Sequence, residues 1–94
     1  MLLISKKLGL RDGLKLNTNK ALELAERYLG PNYKNAGKGR FISSDGRRQV
    51  RMSDSDVLGK HGGGPHMNFE VLQPSMHKEG KMEIIENYHI FIED

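Results

Sequence analysis

Between Asn17 and Gly30 the apolar residues recur every three to four positions. Ala21, Leu22, Ala25, Tyr28 and Leu29 share one face of a helical projection, and Lys20, Glu23, Glu26 and Arg27 lie largely opposite. Asn17 or Thr18 can serve as N-cap, and Gly30 followed by Pro31 ends the run. The pattern predicts one helix of about three turns. The sixteen residues before it show no period, and Gly9 and Gly13 interrupt their few apolar positions, so 1–16 reads as a loosely structured lead-in.

After the linker PNYKNAGKG the period changes to two. The segment RFISSDGRRQVRM reads as two short strands joined by Asp45-Gly46, a dipeptide that tolerates the positive φ of a tight hairpin. In its second strand Val50 and Met52 point one way and Arg47, Gln49 and Arg51 the other. HMNFEVL alternates again, with Met67, Phe69 and Val71 opposite His66, Asn68 and Glu70. The segment KMEIIENYHIFIED is apolar enough for a central strand; Tyr88, Ile90 and Ile92 share one parity, His89 and Phe91 the other. One helix followed by four strands predicts a single α+β domain over residues 1–94: an N-terminal helix packed on the apolar face of a four-stranded antiparallel sheet.

Composition narrows the function classes. The 94 residues include no cysteine, which excludes a disulfide framework, a cysteine zinc site and a thiol nucleophile. The opening MLLI is too short for a signal peptide's apolar region or a membrane span, and a soluble chain is expected. Net charge is only +3, yet residues 1–60 hold 13 Lys/Arg against 6 Asp/Glu while residues 61–94 hold 2 against 6. Such a basic surface concentrates polyanions and is the footprint of a nucleic-acid binder.

If the helix covers one sheet face, the polar parity of the strands gathers Arg47, Gln49, Arg51, His66, Asn68, Glu70 and His89 on the other. Cleavage of RNA by its own 2′-hydroxyl needs such a set. A base takes the 2′-proton, an acid protonates the 5′-oxygen, and donors hold the dianionic phosphorane. Imidazoles serve as acid and base near neutrality, and arginines make paired phosphate contacts. The stretch Lys60-His61-Gly62-Gly63-Gly64-Pro65-His66 adds a second consideration, because ordering three glycines is entropically costly and the loop is expected to place groups. A tight turn there would bring His61 over the face bearing His66 and Arg51, with Lys60 beside it as a phosphate contact. The glycines have neither the setting of a dinucleotide fingerprint nor the ending of a P-loop, so no nucleotide cofactor is expected. A glycine hinge with an exposed His61 is the simpler alternative. His77 reads as a surface residue in a turn, and His89, with apolar neighbours, is open to a structural or a functional role.

The run GRFISSDGRRQVRMSDSDVLGKHGGGPHMNFEVL, closed by IIENYHIFIED, resembles a toxin module found at the C-terminal tips of bacterial polymorphic toxins, including contact-dependent growth-inhibition and Rhs-type effectors. The resemblance covers residues 39–94. It singles out Asp45, Arg48, Gln49, Arg51, Asp56, His61, Pro65, His66, Asn68, Glu70, Asn87 and His89; position 68 is asparagine where related modules often have histidine. Many such modules resemble the barnase, EndoU, colicin and RelE superfamily of metal-independent ribonucleases, a helix followed by a four-stranded antiparallel sheet. The resemblance implies an endoribonuclease toxin that needs no cofactor and cuts RNA, tRNA among the options, through a 2′,3′-cyclic phosphate. His61, His66, Arg51, Asn68 and His89 would be catalytic; Lys60, Arg40, Arg47, Arg48 and Gln49 would contact RNA. It also implies delivery as the C-terminal part of a larger effector, action in a target-cell cytoplasm, and a cognate immunity protein, acidic where it meets the basic residues of 34–51. Any host translation factor is left open.

Two other readings fit the same residues. A metal-dependent DNase toxin would use His61, His66, Asn68 and His89 with Asp54 or Asp56 as ligands, although no compact motif such as HExxH is present. A non-catalytic nucleic-acid-binding module would need the arginines and not the histidines, with Tyr28, Tyr33 and Phe41 as stacking surfaces.

Overall fold

A computed structural model describes residues 8–52 and 64–94. One helix, α1 (Thr18–Leu29), lies on a sheet of six strands: β1 (Leu14–Leu16), β2 (Lys34–Gly37), β3 (Arg40–Ile42), β4 (Arg48–Arg51), β5 (His66–Pro74) and β6 (Met82–Ile92). The strand order is β1-β6-β5-β4-β3-β2. β2 to β6 form consecutive antiparallel pairs, and β1 runs parallel to β6. The fold is therefore α+β with a mixed sheet.

This corrects the expected four-stranded antiparallel sheet. The four expected strands are the central four, and each edge carries a further one that the pattern hides. β1 is three residues long within the supposed lead-in, where Leu10 is also buried and Leu8, Leu14 and Leu16 pack against the core. β2, in the supposed linker, reads KNAG and is exposed throughout, so no burial imposes an alternation on its sequence. A short, exposed strand with a bulge between Asn35 and Gly37 is the usual form of a protected sheet edge.

The helix begins and ends as its residues dictate. The Asn17 side chain accepts the Lys20 N–H at 2.8 Å, and Gly30, at φ 78°, returns its N–H to Glu26 O. Thr18, whose N–H and hydroxyl lie at the open helix N-terminus, donates both to the Asp94 carboxylate, each at 2.8 Å. These two bonds hold the Asp94 carboxyl below the ordinary aspartate value and tie the end of the last strand to the start of the helix. Asn17→Ala removes the cap bond and is expected to lower stability by about 1 kcal/mol, read as a lower urea midpoint at unchanged slope; an unchanged midpoint would assign the capping to Thr18 and Asp94 instead.

Ala21, Ala25, Tyr28 and Leu29 of α1 bury against Val50, Met67, Phe69 and Ile90, one parity of three strands. Leu22, placed by periodicity on the same side, is 43% exposed. The Tyr28 ring sits 5.3 Å from that of Phe69, and its hydroxyl donates to Glu70 O at 2.9 Å. Tyr28 is fully buried, so it offers nothing to a nucleobase. The β3–β4 hairpin turns at the expected place: Gly46 N–H bonds Ser43 O, Gly46 has φ 74°, and Asp45 accepts from the Ser43 hydroxyl and the Arg47 N–H.

Candidate active site

β5 determines the site. An alternating strand with one wet face is the ordinary expectation, but here the polar side is buried as well: His66 is 6% exposed, Asn68 1% and Glu70 0%, with Gln49 of β4 at 5%. Polar groups held inside without partners are costly, so this face must be closely bonded or reserved for a ligand. Register sets the neighbours. Gln49 pairs with Glu70 and Arg51 with Asn68 across β4–β5; Asn68 pairs with His89, Glu70 with Asn87 and His66 with Phe91 across β5–β6. Arg51, Asn68 and His89 thus form one row across three strands, on the face opposite α1.

Two subsets fill the face. In the first, the Glu70 carboxylate accepts the Gln49 Nε2–H at 2.6 Å and faces the Arg51 guanidinium at 3.4 Å. A buried carboxylate between an amide and an arginine holds that arginine in one orientation. In the second, the His66 and His89 rings lie 5.7 Å apart, and the Phe91 ring is also 5.7 Å from that of His66. Each imidazole is fixed through Nδ1: His66 to Gly64 O at 3.0 Å, His89 to the Asp12 carboxylate at 2.8 Å. Asp12 also accepts the His89 backbone N–H at 2.7 Å. That backbone bond first, and the ring bond second, hold the Asp12 carboxyl below the ordinary aspartate value. Between the subsets lies Asn68, whose buried Nδ2 has no hydrogen-bond partner among the described residues.

The structure distributes the expected site residues unevenly. It brings Arg51, Asn68, His66, His89 and Gln49 together, and Arg40, paired with Arg51 at the edge of the row, shares their face. Arg48 lies elsewhere. It pairs with Val71 on the helix side, 13% exposed, with Asp45 at 3.6 Å, and its guanidinium would lie 4.0 Å from a Cβ at Gly30. A cation there complements the helix C-terminus and does not face the row. Arg47 precedes β4 in the exposed hairpin turn, four positions from Arg51. His61, Lys60, Asp54, Asp56 and the first two glycines of the triplet lie outside the described residues. Among the described residues no three His, Asp or Glu side chains converge as a metal-holding group.

Two residues of the site have no assigned role in the sequence reading. Glu70 carries a signal, since it continues the His66, Asn68 alternation and is the one carboxylate in the strand HMNFEVLQP. Asp12 carries none: its Asp-Gly turn matters only because β1 runs beside β6.

The chain matches no known protein family, no curated protein and no solved structure.

Proposed function

We propose that the row Arg51–Asn68–His89, with His66, is the active site of a metal-independent endoribonuclease. The observation that carries this reading is the pair of Nδ1-anchored imidazoles 5.7 Å apart beside a buried amide that has an unspent donor. One phosphodiester spans such a gap. One imidazole takes the 2′-hydroxyl proton at Nε2 as the alkoxide attacks phosphorus, and the other, protonated, delivers a proton to the departing 5′-oxygen. Arg51 and Asn68 donate to the non-bridging oxygens, whose charge grows in the phosphorane. Hydrolysis of the 2′,3′-cyclic phosphate then uses the same two groups in reversed roles.

The order of helix and central antiparallel strands supports a likeness to the barnase, EndoU, colicin and RelE ribonucleases, with β1 and β2 as additions at the edges. On this reading the domain is the toxic tip of a larger delivered effector, works on RNA in a recipient cytoplasm, and is neutralised by an acidic immunity protein facing Lys34, Lys38, Arg40 and Arg51.

The test is cleavage of a defined RNA by the purified domain in excess EDTA, with products analysed at their ends. The expected products carry 2′,3′-cyclic phosphate, and a single 2′-deoxy substitution at the cut abolishes cleavage there. Activity that vanishes with EDTA, or cutting of DNA with RNA left intact, overturns the reading.

A further inference from the structure

His89 is a site residue with an unusual attachment. Its ring is held by a carboxylate 77 positions earlier in the chain, from the turn that leads into β1, the strand that runs parallel to β6. One oxygen, Asp12 Oδ1, takes two donors from this one residue: the backbone N–H at 2.7 Å and ring Nδ1 at 2.8 Å. Gly13 N–H closes the arrangement on His89 O at 2.8 Å. Backbone and side chain of His89 are therefore both referenced to residues 12–13.

An ionised carboxylate can only accept, so the ring nitrogen facing it must carry the proton. Asp12 is held in that ionised form, its carboxyl below the ordinary value of 3.8 because of the His89 backbone N–H and then the ring. With Nδ1 protonated in both charge states of the imidazole, all gain and loss of protons occurs at Nε2. A histidine released from such a partner favours the opposite neutral tautomer, the one a free histidine side chain prefers in water, which places the proton at the nitrogen that should receive it.

We propose that Asp12 is the positioning residue of this site: it fixes His89 as the Nδ1–H tautomer, with Nε2 as the nitrogen that exchanges a proton with the substrate. Edge strand β1 thereby has a purpose beyond covering the core, since its pairing of Leu14 with Ile90 and Lys15 with Phe91 sets Asp12 beside His89. The kinetic half of the proposal rests on the ribonuclease reading; the tautomer itself does not.

Asp12→Ala removes both bonds, and Asp12→Asn keeps an oxygen that can accept both donors while removing the charge. Long-range nitrogen–proton correlation spectra report the His89 tautomer in each protein at a pH where the ring is neutral, and steady-state cleavage of an RNA substrate reports kcat and KM. The expected parent is the Nδ1–H form. Asp12→Ala should shift His89 toward Nε2–H and lower kcat on the order of 10- to 100-fold, with KM changed by less than about twofold; a buried carboxylate in the same role is worth about 10⁴-fold, and here ring and carboxylate are 43% and 64% exposed. Asp12→Asn should retain the tautomer and more of kcat than Asp12→Ala. A parent in the Nε2–H form overturns the proposal, as does an Asp12→Ala protein whose tautomer, or whose kcat, matches the parent. If the parent cuts no RNA while the tautomer shifts as expected, Asp12 positions His89 and it is the ribonuclease reading that fails.

Discussion

His66→Ala and His89→Ala should each lower the single-turnover rate of RNA cleavage by about 10² to 10⁴-fold, the range for loss of a general acid or base, with RNA affinity nearly unchanged. The rings lie on adjacent strands, 5.7 Å apart, and both are anchored through Nδ1. Because the two act on one proton-transfer sequence, the double variant should be little worse than the poorer single one. Arg51→Ala should weaken both rate and binding, since a guanidinium contacts the phosphate before as well as during the reaction. Rates within about twofold of the parent for both histidine variants would remove the acid–base pair and leave the face as a binding surface. The measurement is a quenched-flow time course on a short RNA, paired with binding of its 2′-deoxy analogue.

Glu70→Ala should be the most destabilising change on the site face, by about 2–4 kcal/mol. Removing one partner of a fully buried ion pair costs roughly 3–5 kcal/mol; Arg51 is 35% exposed and recovers part of that from solvent. Gln49 Nε2 would lose the acceptor at 2.6 Å that satisfies it in the interior. Glu70→Gln keeps an acceptor for Gln49 and loses the charge, so it should fall between. Chemical denaturation with tryptophan-free detection, by far-ultraviolet circular dichroism, gives the comparison. An Ala variant as stable as the parent would mean that Glu70 contributes orientation and no net stability.

Much of the arrangement was legible because burial leaves a period in the sequence. The helix from Thr18 to Leu29 and the alternation of Val50, Met67, Phe69 and Ile90 follow from the need to cover one face. The same alternation, read for its polar members, collected Gln49, Arg51, His66, Asn68 and His89. The edges were illegible for the converse reason. Lys34 to Gly37 bury nothing, and Leu14 to Leu16 span too few residues to show a period of two. Arg48 shows another limit: an arginine on a strand reads as solvent-facing, yet its long stem can run under a helix and bring its charge to the C-terminal end near Gly30. Asp12 lies beyond any local rule, because its meaning depends on a parallel partner at the other end of the sequence. Finding it requires the topology first.

That topology also governs when the site can exist. β6 lies between β1 and β5, so the strand latest in sequence must enter between two earlier ones, and it carries His89 with it. Contacts that close so long a loop form late and slowly in folding. A ribosome adding about 5–20 residues per second therefore presents Asp12, Arg51, His66 and Asn68 well before the fifth member. On the ribonuclease reading, the nascent chain is harmless beside the ribosomal RNA that makes it. On that reading the active face is complete only once β6 has entered between β1 and β5.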